Sequence, residues 1–248
     1  MQVGFKSDKG KKRFNNEDAC FVMLHNRLYI VADGVGGSNA GEVASRMAVT
    51  ETANYFLDNP IEVCKDDQEI NKYFTDCVKK VNESIYRKSQ KNAENRGMAT
   101  TLVFAYASKG NVYIANIGDS RAYVYRGDKL TQVTEDHTYV NELVQTGTIS
   151  KKEAENHKEK HKITRAVGAE EDVQADMFKV EVKLGDTLVI CTDGLYGEVS
   201  EKTMTKILDK GKTMSETCEE LVDQANVNGG HDNITVICLK VMEEDIDE

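Results

Sequence analysis

The stretch ACFVMLHNRLYIVADGVGG, residues 19–37, holds two apolar runs of β type and the turn that leads out of them. ACFVMLH (19–25) and RLYIVAD (27–33) flank a single turn residue, Asn26, so the pair reads as a hairpin. The second run stays apolar up to a carboxylate, Asp33, followed by Gly34. Past the glycines a helix is expected from about Gly41 to Leu57, with Val43, Met47, Ala48, Phe56 and Leu57 roughly at helical period. A second helix is the clearest element of the chain: Ile70, Tyr73, Phe74, Cys77, Val78, Val81 and Ile85 recur at spacings of three and four.

Working outward, three strands follow: TLVFAYA (101–107), NVYIANI (111–117) and RAYVYR (121–126), with turns at Lys109-Gly110 and Gly127-Asp128. Residues 143–162 are Lys/Glu-rich and weakly apolar, the mark of an exposed, partly helical flap. TLVICT (187–192) reads as a buried strand, helices are expected near 201–208 and 215–225, and NITVICLKV (233–241) is the last strand. This is not regular strand–helix alternation, which disfavours a doubly wound parallel sheet. Antiparallel sheets covered by helices fit better.

The chain has 248 residues, 40% hydrophobic and 30% charged, enough to bury a core without staples. One proline, Pro60, and no low-complexity linker argue for one domain. The net charge is 32 − 42 = −10. Such a chain is repelled by phosphate backbones and anionic lipid, so nucleic acid and membrane are not expected partners. Its longest apolar stretches, four to six residues, fall far short of a membrane helix. MQVGFKSDKGKKR has no apolar leader core, and none of the six cysteines forms a C-x-x-C pair. Reduced thiols in a cytoplasmic protein are the expectation.

Asp33 is one of several aspartates at strand ends. Asp193 follows TLVICT and precedes Gly194; Asp119 lies in ANIGDSRAY (115–123); Asp232 lies in GGHDNITV (229–236); Asp18 opens the first strand in NNED. A strand end holds a side chain on a rigid sheet and leaves it accessible. Asp-Gly is also a common hairpin turn, the plainer reading of any one of these sites. Neither Asp33 nor Asp193, however, is followed by a two-residue turn into a returning strand. Two carboxylates about 4 Å apart repel by about 4 kcal/mol at an effective dielectric of 20. A convergent cluster therefore needs cations or shared protons. All-oxygen donors suit Mg²⁺ or Mn²⁺, whereas zinc prefers nitrogen and sulfur. Whether residues so far apart in sequence converge is not legible from their spacing.

These residues fall in an ordered motif series: SDKGKKRFNNED (7–18), VADGVGG (31–37), MATT (98–101), ANIGDSRAY, LTQVTEDHT (130–138), ITRAVG (163–168), VICTDGLYG (189–197) and GGHDNITV. The series resembles that of the metal-dependent protein phosphatase 2C family, its compact bacterial serine/threonine members above all. The resemblance implies an α+β fold: a four-layer α/β/β/α sandwich with two central, mainly antiparallel sheets flanked by helices. It implies a single catalytic domain over 1–248 with a flap subdomain at about 140–165. The activity implied is hydrolysis of phosphoserine and phosphothreonine by direct attack of a metal-bridging hydroxide at a dinuclear Mn²⁺/Mg²⁺ centre.

Carried over residue by residue, Asp33 would bridge both metals. Asp193 and Asp232 would hold the first, the Gly34 carbonyl the second, and Glu17 and Asp18 would support the second directly or through water. Asp119, with Asp193, would hold a third metal. Arg13 would bind the substrate phosphate, a role suited to its planar fork of donors. Asn233 would orient the Asp232 end from behind. Implied partners are phosphorylated proteins, among them a Ser/Thr kinase, and the chain is expected to be a monomer. Two residues depart from the family pattern. Val35 stands where some members carry a histidine that protonates the leaving oxygen, and Ala99 replaces a usual glycine.

Other candidates have plainer readings. His157 and His161, four apart, could chelate a metal on one helix face, yet the surrounding Lys and Glu fit a solvated flap helix better. His137 and His231 suit structural roles. Gly34-Val-Gly-Gly before a helix could cradle a phosphate, but the Lys-Ser/Thr of a nucleotide loop is missing. The competing functions are a catalytically weak regulatory or phosphoprotein-binding module on the same fold, and another two-metal hydrolase such as a nuclease. The first would show lost metal aspartates, and the second is opposed by the acidic charge.

Overall fold

The computed structural model describes residues 1–35, 40–91, 93–108 and 110–246. Gly36 and Gly37 of the candidate cradle and the turn residue Lys109 lie outside the described residues. The chain opens with β1 (Gln2–Asp8), β2 (Asp18–Met23) and β3 (Leu28–Val35), then α1 (Ala40–Asp58) and α2 (Asp67–Lys91). There follow β4 (Ala99–Thr100), β5 (Leu102–Ser108), β6 (Asn111–Ile117), β7 (Arg121–Arg126) and β8 (Lys129–Gln132). Next come α3 (Tyr139–Gln145), α4 (Lys151–Glu155), β9 (Asp176–Glu181), β10 (Thr187–Cys191) and α5 (Asp193–Tyr196). The chain closes with α6 (Glu201–Leu208), α7 (Met214–Asn228) and β11 (Ile234–Lys240).

One sheet runs β1-β11-β10-β7-β8 and the other β2-β3-β5-β6-β9, with β4 beside β3, and every pairing is antiparallel. Alternate residues of each strand face opposite layers. In β3, Tyr29 and Val31 meet Ile190 and Ile237 of the other sheet, whereas Leu28 and Ile30 pack under α1 and α2. In β11, Ile237 and Leu239 point between the sheets, while Val236 and Cys238 pack under α6 and α7. The result is four layers, helices outside and two sheets within. Both faces of each sheet are covered, which is why these antiparallel strands read as unbroken apolar runs.

The hairpin holds, but its turn spans residues 24–27 instead of Asn26 alone, and Arg27 takes φ 51° to close it. The α2 face is the expected one throughout. The α1 face is rotated: Ala44, Ala48, Thr52 and Phe56 are buried, and Leu57 is exposed. Small side chains let α1 lie close on β3. A Cβ built on Gly34 would stand 2.2 Å from the Gly41 carbonyl oxygen, so both positions need glycine for this approach.

Candidate metal centre

The beginnings of β2, β5 and β7 and the ends of β3 and β6 come together at one end of the sandwich, beside the β10–α5 junction and the start of β11. This brings Asp18 opposite Asp33 in the β2–β3 register. Backbone bonds fix the Asp33 position: its N–H donates to Thr101 Oγ1 at 2.9 Å, and its carbonyl accepts Thr100 Oγ1 and the Thr101 N–H, both at 2.8 Å. Gly34 N–H donates to the Glu17 carbonyl at 3.1 Å. Ala99 is buried in β4 opposite Val35, its methyl accommodated.

Asp193 is the first residue of the short α5, which docks against the chain at Asn233: a Cβ on Gly194 would lie 1.9 Å from the Asn233 carbonyl oxygen. Asp119 is held from its own backbone, whose carbonyl accepts Tyr196 Oη at 2.9 Å. The Arg121 guanidinium stacks 3.6 Å from the Tyr196 ring and forks onto Asp136 at 2.6–3.1 Å. Asp232 accepts the Asn233 N–H at 2.8 Å on Oδ1 and Arg13 Nη2 at 2.7 Å on Oδ2.

These carboxylates bear on one another. Burial, then the charges of Asp18, Asp193, Asp119 and Asp232, push the Asp33 carboxyl well above the usual carboxylate range. Burial raises Asp18 to about 7; Asp193 and Asp232 add to it, and the Thr235 and Thr192 hydroxyls oppose it. Burial raises Asp119 to about 7, with Asp193 and Asp136 adding their charge. Asp193 is raised by burial and then by Asp232, against the pull of His161, Asp33 and Arg13. The fold thus brings Asp18, Asp119, Asp193 and Asp232 near enough to Asp33 for their charges to act on it.

The donor set fits hard cations. It is all oxygen, and Asp18 Oδ1 and Asp193 Oδ1 are buried with no hydrogen-bond partner among the described residues. Among those residues, no three His, Cys, Asp or Glu side chains close on one point as a ready-made chelate.

The Asn233 backbone N–H reaches Asp232, while its side chain bonds elsewhere. Its Oδ1 accepts the Glu17 N–H at 2.8 Å, and its Nδ2 donates to the carbonyls of Lys9 and Asn15, each at 2.9 Å. His137 Nδ1 accepts the Gly118 N–H at 3.0 Å, and His231 Nδ1 lies 2.7 Å from Glu198 Oε1. His157 and His161 lie beyond α4, so they do not share a helix face. His161 Nδ1 reaches to 4.0 Å from Asp193 Oδ2, a contact that sequence spacing did not suggest. Sequence reasoning also missed Thr192, whose hydroxyl donates to Asp18 Oδ2 at 2.9 Å, and the Tyr196–Arg121–Asp136 stack. Thr192 precedes Asp193, and Tyr196 and Arg121 lie within motifs already singled out. That neighbourhood was the only signal.

An antiparallel double sheet thus carries carboxylates from the strand ends of both sheets at one end. The model of the protein phosphatase 2C family matches residues 10–229, and the chain belongs to that family. It is similar to the serine/threonine phosphatase stp of Listeria monocytogenes, 40% identical over 97% of this chain and 96% of the relative. It is similar in structure to the Streptococcus agalactiae serine/threonine phosphatase, with a TM-score of 0.91 and 31% identity over 97% of this chain and 99% of the other. It also resembles the catalytic domain of the phosphatase PstP solved in complex with two manganese ions. There the TM-score is 0.85, with 33% identity over 98% of each chain.

Proposed function

We propose that this chain hydrolyses phosphoserine and phosphothreonine esters of proteins, with Mn²⁺ or Mg²⁺ held at the aspartate end of the sandwich. The observation that carries this reading is the charge of four carboxylates, drawn from both sheets, bearing on Asp33. In this reading Asp33 would serve two ions. Asp193 and Asp232 would hold the first, and the Gly34 carbonyl the second. Glu17 and Asp18 would support the second, directly or through water, and Asp119 would serve a third ion with Asp193. Such divalent ions, when bound, would supply activated water and offset the charge of the phosphoryl group.

The remaining work falls to the chain's own residues. The Arg13 side chain is 48% exposed and has further N–H donors beyond the one given to Asp232, so it positions the phosphate. Thr192 and the Asn233 staple hold Asp18 and Glu17 in place. Val35 has no proton to give, so no side chain at that place protonates the leaving oxygen. We read the chain as one catalytic unit with a flap at about 140–165. We take it to work as a cytoplasmic monomer on phosphoproteins that include a Ser/Thr kinase.

The test is phosphate release from a phosphothreonine peptide with Mn²⁺, with Mg²⁺ and with excess chelator, beside an Asp193→Asn protein. Turnover is expected only with metal, and the substitution should lower it by about 100-fold or more. Turnover that survives the chelator, or none at all from a folded protein, would overturn the reading.

A further inference from the structure

The loop of residues 9–14 is built unlike a surface loop that merely connects. Asn233 Nδ2 closes its base by donating to the carbonyls of Lys9 and Asn15. The N–H groups of Lys11 and Lys12 donate to the Gly230 carbonyl at 2.8 and 3.1 Å. Gly10, at φ +76°, lies so close to the segment carrying Asp232 that a Cβ there would stand 2.1 Å from the Asp232 carbonyl oxygen. Arg13 is tied to the Asp232 side chain. The loop is therefore pinned to the rim of the aspartate site.

What this pinned loop presents to water is unusual. Phe14 is 99% exposed, so it forgoes the roughly 1.5–3 kcal/mol that burying such a side chain provides. Lys9, Lys11 and Lys12 are exposed too, and none forms an ion pair among the described residues, on a chain of net charge −10. An exposed aromatic ring and three exposed ammonium groups, without ion pairs among the described residues, thus lie within four positions of Arg13 on this pinned loop. Consecutive Cα atoms are about 3.8 Å apart, and an extended peptide advances about 3.3 Å per residue. A phosphoresidue seated at Arg13 sets its chain neighbour within reach of Phe14.

We propose that this loop is a substrate-recognition ridge: Phe14 packs against an apolar residue beside the phosphoresidue, and Lys9, Lys11 and Lys12 attract acidic residues farther along the phosphopeptide. The proposal rests on the phosphatase reading above and names the substrate class for it. Contact with Phe14 removes apolar surface from water on both partners. The lysines, on flexible stems, steer acidic chains toward a site whose own carboxylates repel them.

Four phosphothreonine peptides test it, combining an apolar or glycine neighbour with an acidic or neutral flank. With Mn²⁺ present, kcat/KM should favour the apolar, acidic peptide about tenfold over the glycine, neutral one. Phe14→Ala should bring the apolar-to-glycine ratio to about one while the acidic preference stays, and Lys11→Glu with Lys12→Glu should reverse the acidic preference. Added salt should weaken the acidic preference alone. Equal kcat/KM across the four peptides, or a neighbour preference unchanged in Phe14→Ala, would overturn the ridge. If no peptide releases phosphate, the phosphatase reading fails. Fluorescence anisotropy of the same peptides on the Asp193→Asn protein then decides the ridge: the same ranking supports it and equal affinities overturn it.

Discussion

Asn233 ties three backbone points of the N-terminal loop to the start of β11: the N–H of Glu17 and the carbonyls of Lys9 and Asn15. It is almost fully buried, so its removal leaves these groups without a partner and with little water to replace it. At about 0.5–1.5 kcal/mol for each bond, Asn233→Ala should cost about 2–4 kcal/mol in urea denaturation. The Glu17 amide should also exchange with solvent faster, because its acceptor is gone. A loss below about 0.5 kcal/mol would mean that the loop is held without the amide. The residue stood out in the sequence as a neighbour of Asp232, yet its true partners lie more than two hundred positions away. Only the fold brings them together.

At the scale of elements, legibility followed apolar content. The α2 periodicity was plain because one wide face is buried from Ile70 to Ile85. β1, β8 and β9 were missed, and with them the two-residue β4. β1, β8 and β9 each lie at an edge of a sheet, are partly exposed and are interrupted by polar or charged residues, so they carry no apolar run. Short α5 was missed as well, since its four residues are too few to express a period. Yet α5 carries Asp193, and its other end is fastened by Tyr196, whose hydroxyl donates to the Asp119 carbonyl at 2.9 Å. Burial, then the charge of Asp119, holds the Tyr196 hydroxyl well above its ordinary range, so it remains a donor at working pH. Tyr196→Phe keeps the ring under Arg121 and deletes that one bond. It should cost about 1 kcal/mol and speed hydrogen exchange within α5. Unchanged exchange there would show that the stack alone fixes the helix.

Across the whole molecule, the strand-end aspartates were legible because apolar runs end abruptly in carboxylates, but their mutual charge follows from two sheets meeting at one end. Burial of these carboxyls, and then that charge, sets how stability depends on pH. The carboxyls of Asp18 and Asp119 are raised from an ordinary 3.8 to about 7, and those of Asp33 and Asp193 are raised too. Each binds its proton more tightly in the folded chain than in the unfolded one. Between about pH 4 and about pH 7 the folded chain therefore holds more protons, and raising the pH across that window lowers stability. His137 works in the opposite sense. Burial lowers its pKa, so the stability it contributes is present above its ordinary 6.5 and is lost as the pH falls. Asp67, Glu153, Asp176, Glu216 and Glu220, whose pKa values are lowered, also work in that sense, but their contribution is largely complete just above their ordinary 3.8 to 4.5, so the buried aspartates set the trend over the rest of the window. Divalent cations bind the ionised carboxylates of the folded chain, so their stabilisation grows as protons leave. Thermal melts with chelator and with Mn²⁺ at about pH 5 and about pH 7.5 check both halves. The chelated protein should melt lower at the higher pH, and the gain on adding Mn²⁺ should be larger there. A chelated protein that gains stability as the pH rises through this window would refute the burial and mutual repulsion that raise these aspartates. A Mn²⁺ gain equal at both pH values would place the ion on groups other than these.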